Sequence, residues 1–261
     1  MSQPLYNQIG SSYNATRQAD PEIIQKILTS LNPIANGKYL DLACGTGNYT
    51  IAYQATGIAM IGVDHSEVML EQARSKNPSI RWVIGDAKNL PFNDQSFAGI
   101  TCTNAIHHFN NLSAVISECA RLLSAGRLVI FCSIQEQMKN YWLNHYFPKM
   151  MERSIEQMPT KTKIVECLNK ANFKNIACES FFVTEDLKDL FLYSGKQRPE
   201  FYLNEKFRSN ISSFASLSAV EEVNQGISKL KKDIDAGVIQ DIISSFSDEL
   251  GDYMIISADK G

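Results

Sequence analysis

The eleven residues LDLACGTGNYT at 40 to 50 constrain the fold more than any other stretch of the chain. Their first half is apolar apart from Asp41 and is bounded upstream by Gly37, which is the composition of a short strand covered on both faces. Their second half turns tightly at Gly45 and Gly47, because a residue without a Cβ can take positive φ and let backbone amides approach a ligand. From Asn48 to about Ala55 the pattern predicts a helix. Strand, glycine turn and helix N-terminus in that order form a common cradle for nucleotide-like ligands. The stretch departs from the dinucleotide form of that motif twice. Thr50 stands where a third glycine or alanine belongs, and Asp41 would repel a pyrophosphate, whereas it suits a ligand carrying a cationic group.

The flanking segments extend this unit into an α/β chain. Residues 1 to 19 read as a polar, irregular arm with Tyr6, Tyr13 and Arg17 as contact candidates. Asp20 and Pro21 open a helix as its cap and first-turn residue, its stripe is Ile23, Ile24, Ile27, Leu28 and Leu31, and Asn32-Pro33 stops it. A second strand, Ile58 to Val63, ends in Asp64, nineteen residues beyond Gly45 and close to the spacing at which a carboxylate grips a ribose diol. Asp64 can equally cap the helix that Ser66 starts. Ile80 to Ile84 predicts a third strand followed by Gly85-Asp86-Ala87, where a carboxylate can accept from an exocyclic amine. Ser96 to Cys102 predicts a fourth, followed by Thr103, Asn104, His107 and His108 at the edge where open α/β sheets place their ligands. A helix from Asn111 and a fifth strand, Arg127 to Cys132, complete a parallel, doubly wound pattern. Thr160 to Ala171 reads as a helix, Asn175 to Thr184 as a sixth strand and Tyr253 to Ala258 as a seventh. The roughly seventy residues between those two strands are too many for a plain hairpin loop and are largely helical in pattern.

With 261 residues, 44% hydrophobic and 20% charged, the chain can bury a core of ordinary size. A net charge of −3 and a densest basic cluster of only Lys229, Lys231 and Lys232 disfavour nucleic acid as a partner. No apolar run approaches the ~18 residues of a membrane span and no signal-peptide layout opens the chain, so a cytoplasmic location is expected. The six cysteines include no C-x-x-C pair and read as reduced core thiols, and no metal site is expected.

Four blocks, LDLACGTGNYT at 40 to 50, IGVDHSEVML at 61 to 70, GDAKNLPFNDQSF at 85 to 97 and RLLSAGRLVIF at 121 to 131, make the chain resemble the class I S-adenosylmethionine-dependent methyltransferases, in the branch of ubiquinone/menaquinone and other small-molecule methylating enzymes. The resemblance implies a Rossmann-like, seven-stranded sheet of order 3-2-1-4-5-7-6 with strand 7 antiparallel, which the predicted strands fit if the helical stretch between strands 6 and 7 is an inserted cap. It implies one domain over 1–261: arm and first helix at 1–34, cofactor-binding core at 35–135, and cap or substrate region at 136–160 and 185–250. It also implies S-adenosylmethionine as cofactor and a small-molecule acceptor. Carried over, Asp41 and the turn of Ala43, Cys44, Gly45 and Gly47 face the methionine part, Asp64 binds the ribose, and Asp86 with Ala87 holds adenine. His65 and Met69 add cofactor contacts, Asn104 flanks the sulfonium, and Arg17 meets the cofactor carboxylate. Ala98 stands where the family usually has an aspartate, a departure that bears on the start of the fourth strand rather than on the cofactor.

An activated methyl needs a nucleophile placed in line and water excluded, with a base only where the acceptor must lose a proton. His107 and His108 are the catalytic candidates by position; each can instead pack or cap. A nicotinamide-dependent oxidoreductase would use the glycine turn and Asp64 but leaves Asp41, Asp86 and Thr50 without a role. A non-catalytic cofactor-binding or regulatory protein would keep the pocket without an acceptor cavity, and the pairwise thiols expected for arsenite methylation are not evident. Aromatics such as Tyr141, Trp142, Tyr146, Tyr193 and Tyr202 can line an acceptor pocket or fill the core. The acceptor, the atom methylated and the oligomeric state stay open.

Overall fold

A computed structural model describes residues 17–246 and 249–261; Tyr6 and Tyr13 of the arm lie outside them. Seven strands, β1 (Lys38–Leu42), β2 (Ala59–Asp64), β3 (Arg81–Ile84), β4 (Phe97–Thr103), β5 (Leu123–Cys132), β6 (Phe173–Phe181) and β7 (Tyr253–Lys260), make one sheet in the order β3-β2-β1-β4-β5-β7-β6. β1 pairs in parallel with β2 and β4, β2 with β3, and β4 with β5, while β7 runs antiparallel to β5. This is the expected order with the expected reversed strand. Leu40 faces Ile61 on one side and Ile100 on the other, so β1 is central and its Leu40 and Leu42 are buried.

The helices start where the caps predict. Asp20 accepts from the amides of Glu22 and Ile23 ahead of α1 (Pro21–Leu31), which buries Ile23, Ile27 and Leu31 and ends at Asn32 with φ 47°. α2 (Asn48–Ala55) follows the glycine turn, Ser66 caps α3 (Glu67–Lys76), and Asn111 caps α4 (Leu112–Leu122) through the Ala114 amide.

Contacts divide the chain into two compact units. One comprises Ala19–Cys132, Pro159–Glu179 and Met254–Gly261, and holds the elements just described together with a later helix, Lys161–Lys170. The other comprises Ser133–Met158 and Ser180–Tyr253 with Arg17 and Gln18. It contains α5 (Gln135–Met138), α6 (Leu143–Tyr146) and α7 (Pro148–Gln157), and, after the helix Lys161–Lys170 taken as α8 in chain order, α9 (Glu205–Ser209), α10 (Val220–Asp235) and α11 (Ile239–Ser245). The insertion between β6 and β7 is therefore helical in its second part, whereas residues 182–198 form turns without a helix. Within this unit Gly226 of α10 lets Phe147 approach, since a Cβ there would meet its ring at 2.4 Å. Glu222 of the same helix accepts from the amides of Lys149 and Met150 at the start of α7.

Two boundaries differ most from the sequence expectation. β6 stops at Phe181 rather than reaching Thr184, because the Asp252 amide donates to the Phe181 carbonyl and the Asp252 carboxylate takes the Val183 amide, both at 2.8 Å. β5 begins at Leu123, paired with Phe97, and bulges before Arg127 meets Gly99. At this bulge a Cβ on Gly126 would lie 1.8 Å from the Ala98 carbonyl oxygen, so the strand can pass only as glycine. Gly126→Ala should cost about 1–3 kcal/mol of stability, read as a lower urea midpoint, by forcing β5 off β4; an unchanged midpoint would show that the bulge yields freely.

Candidate active site

The C-terminal ends of β1, β2 and β4 carry the candidate site, and their backbone is strained there. Ala43 after β1 has φ 54° and Asn104 after β4 has φ 52°, left-handed conformations that cost non-glycine residues of order 1–3 kcal/mol and cluster at functional sites. Gly45 and Gly47 share the positive φ, at 54° and 76°, but serve different ends. A Cβ on Gly45 would meet nothing within 4 Å among the described residues, so this face of the turn is open to them. A Cβ on Gly47 would lie 2.4 Å from the Trp82 ring, and so would one on Gly62 of β2. The indole of Trp82 thus occupies the room left by two glycines, and its Nε1 donates to the Asn77 carbonyl at 2.9 Å.

Asp64 ties two strand ends together. Its Oδ2 accepts from the Gly45 amide at 2.8 Å and its Oδ1 from the Ser66 amide at 2.9 Å, so the capping role and the link to the glycine turn coexist. Oδ2 keeps a further lone pair for a ligand hydroxyl, while Oδ1 also faces His65 Nδ1 at 3.4 Å. Lys76, in the last turn of α3, donates to the Thr46 carbonyl at 3.0 Å and to Asn48 Oδ1 at 2.7 Å, which fixes the turn from below. Cys44 is half-buried and burial pushes its thiol well above the ordinary value, so it is no thiolate nucleophile.

Asp41 is buried, and Thr50 Oγ1 donates to its Oδ2 at 2.5 Å while Thr101 Oγ1 donates to its Oδ1 at 3.0 Å. The threonine that spoils the dinucleotide motif is therefore the carboxyl's partner. Burial lifts Asp41 from 3.8 to about 6, with the two hydroxyls pulling down and Asp64 adding a push upward.

Asn104 donates its backbone amide to the Phe131 carbonyl at 2.7 Å, but its buried side-chain Nδ2 has no hydrogen-bond partner among the described residues. A buried amide left in that state costs free energy that a ligand acceptor would recover. His107 and His108 follow in a short 3-10 turn, Ile106–His108, with ring centroids 3.9 Å apart. His108 keeps an exposed edge, yet the protein packed around its ring pushes the imidazole down to about 4, Asp64 opposing and His65 adding to the effect. His65, 3.4 Å from Asp64, is raised mainly by that carboxylate. Met69 is buried in α3. Asp86 lies exposed in the turn after β3, its carboxyl lowered by the Lys88 amide at 3.0 Å, and Ala87 sits beside it.

The family pattern described as a methyltransferase domain matches residues 40–126, the segment that bears these strand ends. A demethylmenaquinone methyltransferase of Staphylococcus saprophyticus is 28% identical over 183 residues, covering 60% of this chain and 78% of the relative. One of Thermotoga maritima is 35% identical over 121 residues, or 45% of this chain and 52% of the relative. A solved structure from Anabaena variabilis, assigned as a methyltransferase of an antibiotic biosynthesis pathway, superposes with a TM-score of 0.82 at 30% identity, covering 93% of this chain and 98% of that one.

The chain belongs to the class I S-adenosylmethionine-dependent methyltransferases. The chemistry of the site suits that donor on its own terms. The methyltransferase offers an open turn face at Gly45, a lone pair on Asp64 Oδ2 and an orphaned amide donor at Asn104. Arg17 forks onto Asp189 through Nε at 2.5 Å and Nη2 at 3.1 Å, an ion pair within the insertion-bearing unit that nothing local in the sequence announced. The methyltransferase's aromatics at 141 to 202 are core rather than open lining: Tyr141 stacks on Tyr193 at 3.7 Å, Trp142 is fully buried, and the Tyr141 and Tyr202 hydroxyls donate to the Asp252 and Leu192 carbonyls. Sequence reasoning missed Trp82, Lys76 and Thr101. Only Lys76 carried a local signal, a cation in the last turn of a helix.

The two glycines predict different phenotypes. Gly45→Ala should lose only the backbone cost of a left-handed alanine, about 1–2 kcal/mol, while weakening S-adenosylmethionine binding about tenfold or more, because its methyl enters the open face; Gly47→Ala should lose more stability, because the clash with Trp82 adds to that backbone cost. Calorimetry and thermal unfolding of both variants read this, and equal losses of stability would contradict it. Asp41 gives a pH prediction. Between pH 4 and 6 the folded state keeps a proton on Asp41 that the unfolded chain releases, so its stabilising contribution is present at pH 4 and lost by pH 6. Asp41→Asn should therefore gain up to about 3 kcal/mol on wild type at pH 8 relative to pH 4, measured by urea unfolding at both pH values; the same difference at both would refute the shift.

Proposed function

We propose that the methyltransferase moves the donor methyl onto a small-molecule acceptor by in-line displacement at the ends of β1, β2 and β4. The buried Asn104 Nδ2 after β4, unpartnered among the described residues, and the open Gly45 turn after the neighbouring β1 carry this reading. Bound S-adenosylmethionine supplies an electrophilic methyl on a sulfonium. Asp64 accepts from the ribose hydroxyls, Asp86 with Ala87 holds adenine, and His65 and Met69 line the adenosyl part. Asp41 and the Ala43–Gly47 turn face the charged methionyl end and Asn104 the reacting sulfur, whereas Arg17, which the sequence assigns to the cofactor carboxylate, is engaged by Asp189.

His108 takes the acceptor's proton and His107 packs against it. An imidazole held near 4 is neutral at working pH and only weakly basic. It therefore suits an acceptor whose own proton is acidic, a phenol or an enol. Relatives named as demethylmenaquinone methyltransferases support a ring acceptor of that kind. The chain works as one methyltransferase domain in the cytoplasm, a location supported by its free cysteines; among the described residues no helix is long and apolar enough to cross a membrane.

Purified protein incubated with methyl-labelled S-adenosylmethionine and a panel of phenols, hydroquinones and enols should label one class. His108→Ala should lower turnover on it by about 10²-fold with cofactor affinity unchanged, and the wild-type rate should fall only below pH 5. No label on any small molecule sinks the acceptor reading, and an unaffected variant removes His108 from it.

A further inference from the structure

The loop from Gly85 to Ser96 carries Asp86 out of the sheet; the Gly85 amide still bonds the Asp64 carbonyl at 3.0 Å, and beyond that the further restraints come from a helix. After the Asp86–Asn89 turn, closed by the Asn89 amide on the Asp86 carbonyl at 2.9 Å, the Leu90 amide donates to Glu118 Oε1 at 2.7 Å. Arg121, one turn further along α4, donates to the carbonyls of Leu90 at 3.3 Å and Phe92 at 2.9 Å and to Asp94 Oδ1 at 2.6 Å. The same guanidinium holds both oxygens of Glu118, at 2.8 and 2.6 Å, while the Arg121 carbonyl receives the Gln95 amide at 2.9 Å. Glu118 is only 7% exposed, and a carboxylate that buried persists only if paired. α4 already buries Val115, Ile116, Cys119 and Leu122, so packing of the helix does not require this charged pair. What the pair fixes is the loop, and a planar fork of donors is the group that can collect two carbonyls and two carboxylates at once.

We infer that Glu118 and Arg121 are positioning residues for purine recognition: they clamp the loop that carries Asp86 and thereby set the preference for a 6-amino over a 6-oxo purine. This rests on the reading that Asp86 faces the adenine amine. The clamp acts through backbone, holding Leu90 and Phe92 so that the Asp86–Asn89 turn has one position. An unclamped loop leaves the carboxylate present but displaced, and the amine loses its partner while contacts of sugar and amino-acid tail persist.

Calorimetric affinities for S-adenosylhomocysteine and S-inosylhomocysteine measure that preference directly. Wild type should favour the adenosyl ligand by about tenfold or more, the range of a hydrogen bond to a charged group. Arg121→Met should bind the adenosyl ligand about tenfold more weakly, with the inosyl ligand changed less than about twofold, so the ratio falls toward one. Arg121→Lys should restore part of the ratio and Glu118→Gln should lower it less than Arg121→Met. A cooperatively folded Arg121→Met that keeps the wild-type ratio overturns the clamp; if that variant does not fold, a wild-type ratio in Glu118→Gln overturns it instead. Asp86→Asn separates the failures: an unchanged ratio there overturns the Asp86 reading and the inference with it, whereas a lost ratio there beside a wild-type ratio in Arg121→Met overturns the clamp alone.

Discussion

The hydrogen bonds from the Gly45 and Ser66 amides to the Asp64 carboxylate are the constraint on which the site depends. They join the turn after β1 to the start of the helix after β2, so that two strand ends move as one piece. A carboxylate is the right group for this, because it can accept two backbone amides and still retain lone pairs for a ligand. Around that link the packing is tight on one side and, among the described residues, open on the other. Trp82 fills the room beside Gly47 and Gly62, Lys76 holds the Thr46 carbonyl, and the outer face at Gly45 is left open.

The electrostatics of the same sheet edge follow from burial more than from pairing. Asp41 is lifted toward neutrality and His108 is driven away from its charged form, so near pH 5 one folded group holds a proton the unfolded chain would release and the other refuses one it would accept. The two effects on stability run in opposite directions across that window and offset each other. A cationic donor favours an ionised Asp41, which makes this buried carboxyl a better fit for a sulfonium cofactor than for a pyrophosphate.

The insertion-bearing unit is built on a different principle. Its centre is a stack of tyrosines, a tryptophan and phenylalanines whose polar tips are spent on backbone partners, with the Lys196–Asp252 pair at 2.8 Å among them. Aromatic side chains that satisfy each other in this way give a stiff core, and their hydroxyls are not free to recognise a ligand.

The sequence by itself determined the strand, glycine turn and helix of residues 40 to 50, the helix starts at Asp20, Ser66 and Asn111, and the strand order carried by the four family blocks. Those features are local: periodicity, a capping side chain or a residue lacking Cβ announces them within a few positions. Only the tertiary structure decided that Thr50 and Thr101 partner Asp41, that Gly47 serves Trp82 while Gly45 stays open, that Arg17 pairs with Asp189, and that Glu118 and Arg121 hold the loop of Asp86. These contacts join residues far apart in the chain, and the direction a side chain takes across such a gap depends on the packing of whole elements, which no short stretch of sequence encodes.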